Sequence, residues 1–96
     1  MKLLLSRAAA ADLVDIWRYS ERNWGAGQAD AYVDALGARF RWLAANPALW
    51  PRGEEPGSGV YRFLQGRHAI YFRGTDSHLE IIRVLHQRMD PAIHLD

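Results

Sequence analysis

A chain of 96 residues without cysteine excludes a disulfide scaffold, a thiolate metal site and a Cys nucleophile, and it has room for one small core. An apolar share of 49% beside 24% charged residues excludes a disordered polymer. A net charge of +1 argues against a general nucleic-acid binder, because such domains carry a larger basic excess. The positive charge is nevertheless uneven: residues 57–88 hold Arg62, Arg67, Arg73, Arg83 and Arg88 against Asp76 and Glu80. Four Trp are many for this length, and some of those rings are expected to face a partner.

The first element is the run Leu3-Leu4-Leu5, too short for a helix and read as a β-strand buried on both faces. Ser6 and Arg7 interrupt it after three leucines, which is too few for a signal peptide. No stretch approaches the roughly 20 apolar residues that span a bilayer, so a soluble, cytoplasmic protein is expected. Ser6 is a helix cap, and Leu13, Ile16, Trp17 and Trp24 recur at helical spacing over residues 8–24, with Gly25 and Gly27 ending the helix. The Trp17 stripe is expected to pack on the sheet, whereas Trp24, Trp42 and Trp50 lie off the clean stripes.

Residues 28–45 form the second helix, with Ala29, Tyr32, Val33, Leu36, Phe40 and Leu43 on one stripe and Asn46-Pro47 as its stop. So short a link predicts an antiparallel helix hairpin. Residues 47–59 hold three Pro and three Gly and read as a loop. Residues 60–64, 68–73 and 79–86 are rich in β-branched and aromatic side chains, separated by Gln65-Gly66 and Gly74-Thr75-Asp76-Ser77, and predict a three-stranded antiparallel meander. The whole is an α+β domain with both helices on one face of the sheet.

That order resembles the RelE/ParE toxin superfamily, and the local words resemble its ParE branch. Asp12-Leu13, Ile16 and Tyr19 are similar to the ParE pattern in the first helix. Trp24-Gly25-Ala26-Gly27-Gln28-Ala29 followed by Tyr32 resembles its inter-helix turn, and Leu43-Ala44-Ala45-Asn46-Pro47 the end of its second helix. Tyr61-Arg62, Ile70-Tyr71-Phe72-Arg73 and the stretch from Ile81 through His86 to Met89-Asp90 resemble its strands and its ending. The resemblance runs from Leu3 to about Leu95 and implies a single toxin domain over residues 1–96. It further implies a toxin held inactive by a ParD-like antitoxin and acting on DNA gyrase, with no cofactor. On this reading Arg62, Arg73, Trp24, Trp50 and Tyr61 contact the antitoxin, and Arg83, His86 and Arg88 contact gyrase.

The RelE side of the superfamily implies a different activity, ribosome-dependent cleavage of mRNA. Such chemistry activates a 2′-hydroxyl, stabilises charge on phosphorus and protonates a leaving oxygen. His86, close to where some of these nucleases carry a catalytic His, would act with Arg83, Arg73 and Glu55. Against it stand the single Lys, Lys2, a second helix whose cations are Arg39 and Arg41, and Gln87 where several such enzymes place a Tyr. The expected class is therefore a protein-binding inhibitor rather than an enzyme. His86 reads equally as a hydrogen-bonded His at a core edge, and Arg62 and Arg73 as stems covering the sheet. Gly57-Ser58-Gly59 lacks the Lys-Ser/Thr of a phosphate loop. His68, His78, His86 and His94 lack metal-ligand spacing, so no metal is expected.

Overall fold

The structure, a computed structural model, describes residues 1–50 and 59–95. Glu55 and the Gly57-Ser58 pair therefore lie outside the described residues. A four-stranded sheet carries a helix hairpin on one face, with β1 Lys2–Leu5, α1 Arg7–Trp24, α2 Ala26–Ala45, β2 Tyr61–Gln65, β3 His68–Gly74, β4 His78–His86 and a short α3 Pro91–His94.

Ser6 starts α1 as its composition predicts: its side-chain oxygen accepts the Ala9 amide at 2.9 Å. The same hydroxyl donates to the Ile82 carbonyl at 2.6 Å, so the cap also fastens the helix start to β4. Gly25 alone links the helices, with φ 90° and ψ 165°, a region that essentially only Gly occupies. Because one residue suffices for the reversal, Gly27 falls inside α2 instead of in the turn.

The sheet order is β1-β4-β3-β2, with β1 parallel to β4 and the other pairs antiparallel. Being an edge strand with one neighbour, β1 is not buried on both faces as expected. Leu3 packs against the core, while Leu4 and Leu5 are each 41% exposed. The main core joins Ala9 and Ile16 of α1 and Leu36, Phe40 and Leu43 of α2 to Ile70, Phe72, Leu79, Ile81 and Val84 of the sheet. Trp17 does not lead this contact. Its indole N–H donates to Asp30 Oδ1 at 2.8 Å, which ties α1 to α2 at the hairpin's outer side. A single 3₁₀ turn, Pro47–Leu49, follows α2. On the other face of the sheet, Ala69, Tyr71 and Leu85 form a smaller core closed by Val60 and Leu95.

One irregularity positions the functional side chains. The register of β3 and β4 passes from Phe72↔Ile81 to Tyr71↔Arg83, leaving Ile82 as an extra residue. A bulge of this kind reverses the alternation beyond it. Leu79 and Ile81 face the helices, and beyond the bulge so do Val84 and His86. Arg83 and Leu85 turn to the opposite face, beside Tyr71.

Candidate functional site

His86 stands directly opposite His68, at the open end of the β3–β4 pair, with ring centroids 5.5 Å apart. Tyr32, on the apolar stripe of α2, reaches the same point. Its hydroxyl lies 2.6 Å from His68 Nδ1 and accepts the Arg67 amide at 3.0 Å. The hydroxyl has one proton, and the His68 contact is much shorter than the alternative at 3.4 Å to the Gln65 carbonyl. The network therefore assigns the proton to the Tyr32–His68 bond, with His68 Nδ1 accepting and the ring proton on Nε2. The Arg88 amide donates to His86 Nδ1 at 3.2 Å, so neutral His86 likewise carries its proton on Nε2. Burial, then the neighbouring His86, lower the His68 pKa to about 4, which keeps it neutral at pH 7.

These rings form one wall of a cleft of about 650 Å³. Ile16, Tyr19 and Trp24 of α1 and Met89 supply an apolar lining, with Asp15, Arg22 and Arg67 among the charged residues. Arg67 lies over the Trp24 ring, 5.5 Å from its centroid, and Tyr19 meets Trp24 edge-on at 5.9 Å. Gln87 braces the β2–β3 turn, its side chain donating to the Gly66 carbonyl at 2.9 Å and its amide to the Arg67 carbonyl at 3.1 Å.

The residues expected at functional contacts are distributed differently. Trp24, 51% exposed, is the one indole of the four that is open to solvent. Trp50 and Tyr61 belong to a ring cluster: Trp50 lies edge-on to Tyr61 at 5.3 Å and to Phe72 at 5.2 Å, and its indole donates to the Leu43 carbonyl at 2.8 Å. Arg62 pairs in register with Tyr71, on the face away from the helices. Arg73 shares that face and forms an exposed ion pair with Glu80 at 3.1 Å. Arg83 is engaged by Asp12 and the His94 carbonyl, each contact at 2.8 Å. Arg88 is exposed just beyond β4. The nuclease set of His86, Arg73, Arg83 and Glu55 is thus not assembled among the described residues, since Arg73 and Arg83 lie across the sheet from His86. His68, Tyr32 and Arg67 gather around His86 instead, and the sequence reading missed all three. The described residues contain no group of three or more His, Asp or Glu that could hold a metal ion, and no helix long and apolar enough to cross a membrane.

A helix hairpin on one face of a sheet in which a parallel N-terminal strand joins a three-stranded meander is the architecture of the RelE/ParE-type toxins. A solved structure titled as a chromosomal ParDE toxin–antitoxin system from P. aeruginosa superposes with a TM-score of 0.74 at 26% identity, covering 90% of this chain and 95% of that one. The family model of the ParE toxin of the type II toxin–antitoxin system parDE matches residues 3–91. Toxin ParE1 of Caulobacter vibrioides is 43% identical over 91 residues, 95% of this chain and 94% of the relative. Toxin ParE1 of Mycobacterium tuberculosis is 37% identical over 90 residues, 93% and 92% respectively. The chain belongs to the ParE family of type II toxin–antitoxin toxins.

Proposed function

We propose that this toxin stops growth by binding a protein target, DNA gyrase, without catalysing a reaction, and that a ParD-like antitoxin neutralises it by direct contact in the cytoplasm. One observation carries the choice against mRNA cleavage: Arg83, three residues before His86, alternates to the other face of the sheet, and the Ile82 bulge sets His86 on the face opposite Arg73 as well. A nuclease needs those cations beside its acid and base at one phosphorus, and of the two that do line the cleft with His86, Arg22 and Arg67, the latter is folded over Trp24. Arg83 is already neutralised by a carboxylate, and His68, the nearest His to His86, is held neutral. The kinship with a ParDE system supports the antitoxin as partner. Trp24, at the mouth of the cleft, and the face carrying Arg62 and Arg73 are the surfaces open to it, with Trp50 and Tyr61 supporting from beneath. Arg88 is the exposed cation left for gyrase, while Arg83 holds the fold. No cofactor takes part.

A supercoiling assay with purified gyrase tests this reading. The toxin should block supercoiling, and an equimolar amount of the cognate antitoxin should restore it. Undisturbed supercoiling at a large molar excess of toxin would overturn the gyrase assignment.

A further inference from the structure

The chemistry of the cleft points to the group it takes. Both His rings use Nδ1 as acceptor inside the fold, so each presents an Nε2–H, and among the described residues neither Nε2 has a protein partner. A metal ion would need the Nε2 lone pair, and the Arg88 amide at His86 Nδ1 opposes the tautomer that supplies it. With Arg22 and Arg67 added, the cleft holds two imidazole N–H groups and two guanidinium groups against a single carboxylate, Asp15. Such a surplus of donors suits an oxyanion. Apart from Ser20, Gln28 and the Tyr32 hydroxyl the rest of the lining is apolar, and a net positive charge this small is poorly matched to a phosphodiester chain.

We propose that the cleft is an oxyanion-binding site that takes the side-chain carboxylate of a protein partner, from a segment in which acidic and apolar residues alternate. The carboxylate meets the Nε2–H groups of His68 and His86. Arg67, now folded over Trp24, closes on it, and the apolar neighbour lies against Ile16, Tyr19 and Met89. For the source of that segment, the antitoxin, the proposal rests on the function proposed above; the site itself does not.

Titration of the ¹⁵N-labelled full-length toxin, followed at the imidazole resonances, tests the site with three probes. A synthetic Leu-Glu repeat peptide should shift the His68 and His86 signals saturably. The corresponding Leu-Gln peptide should bind at least about tenfold more weakly, as expected when a charge-assisted hydrogen bond is lost. Arg67→Gln, in an exposed turn, should weaken the Leu-Glu peptide by a similar factor while melting as the wild type does. Equal binding of the Leu-Gln peptide, unmoved imidazole signals, or tighter binding of a single-stranded oligouridylate would each overturn the proposal. The source is tested separately by dissociation of the cognate antitoxin, which should be about tenfold faster from Arg67→Gln, because losing one partner of a buried charged pair acts mainly on the off-rate. A wild-type off-rate alongside intact peptide binding would leave the site standing and remove the antitoxin as its occupant.

Discussion

Asp12 and Arg83, 71 positions apart in sequence, meet at two points, with Nε on Oδ2 and Nη2 on Oδ1, each at 2.8 Å. The same Oδ2 accepts the Val84 amide at 2.9 Å. β1 pairs with β4 only as far as Ile81, so beyond that point Asp12 serves as the partner of the exposed sheet edge. One carboxylate therefore fixes the pitch of α1 over the sheet and closes β4 just past its bulge. Its hydrogen bonds also push the Arg83 guanidinium above its ordinary pKa.

Asp12→Ala should consequently be among the most destabilising substitutions outside the apolar core. The two side chains retain 11% and 22% exposure, so removing one member should cost about 2–3 kcal/mol, less than the loss from a fully buried pair and more than that from a surface one. Arg83→Lys keeps the charge but loses the two-point fork, and should recover only part of the loss. Urea unfolding of both variants decides this; wild-type midpoints would show the pair to be incidental.

Gly66 is a second point of tension. Its φ is 59°, and a Cβ there would sit 2.7 Å from the Tyr32 hydroxyl oxygen. Gly66→Ala should cost about 1–3 kcal/mol from backbone strain alone. It should also displace Tyr32 from His68, which changes of similar size elsewhere in the turn would not do. A melt combined with the His68 imidazole spectrum separates the two effects, and an unmoved His68 signal would mean that Tyr32 yields without leaving its partner.

The helices were legible because their apolar residues recur every three or four positions, and the strands because β-branched and aromatic runs are cut by Gly-containing turns. Neighbourhood was not legible. Leu3-Leu4-Leu5 looks the same whether a strand lies inside a sheet or at its edge, and only pairing with β4 alone decides that Leu4 and Leu5 meet solvent. The Ile82 bulge left no mark in the residue types. Counting back from the Gly74–Ser77 turn without it would set His68 against Leu85, not His86. Tyr32 lies on the apolar stripe of α2, and nothing in that stripe announces that its hydroxyl reaches 36 positions onward to His68.

His68 gives the fold a pH dependence of defined sign. Its pKa is about 4 when folded against 6.5 for the ordinary value, so the unfolded chain takes up the proton first as pH falls. The contribution of neutral His68 to stability is present above about pH 6.5 and is lost progressively towards pH 4. In His68→Gln the decline in melting temperature between pH 7 and pH 4.5 should be shallower than in the wild type. Parallel declines would show that carboxylates govern the whole acid response.

The mechanism itself separates through His86. Loss of a general acid or base typically removes about 10²–10⁴ in rate, so a nuclease carrying His86→Gln would be nearly harmless on induction. For an inhibitor no proton is moved, and Gln at this position still offers an N–H donor to the cleft. Toxicity of His86→Gln should therefore stay within about tenfold of the wild type, well short of the loss expected for a missing proton-transfer group. On the proposed reading, protection by the antitoxin should weaken more than toxicity does, because the His86 ring itself lines the cleft. Arg88, the proposed gyrase contact, keeps its exposed side chain and loses only its amide's bond to His86 Nδ1. Growth curves with and without antitoxin, read beside transcript 5′-end mapping, give both quantities in one strain. Codon-phased cuts in ribosome-bound transcripts within minutes of induction, abolished by His86→Gln, would establish the nuclease in place of the inhibitor.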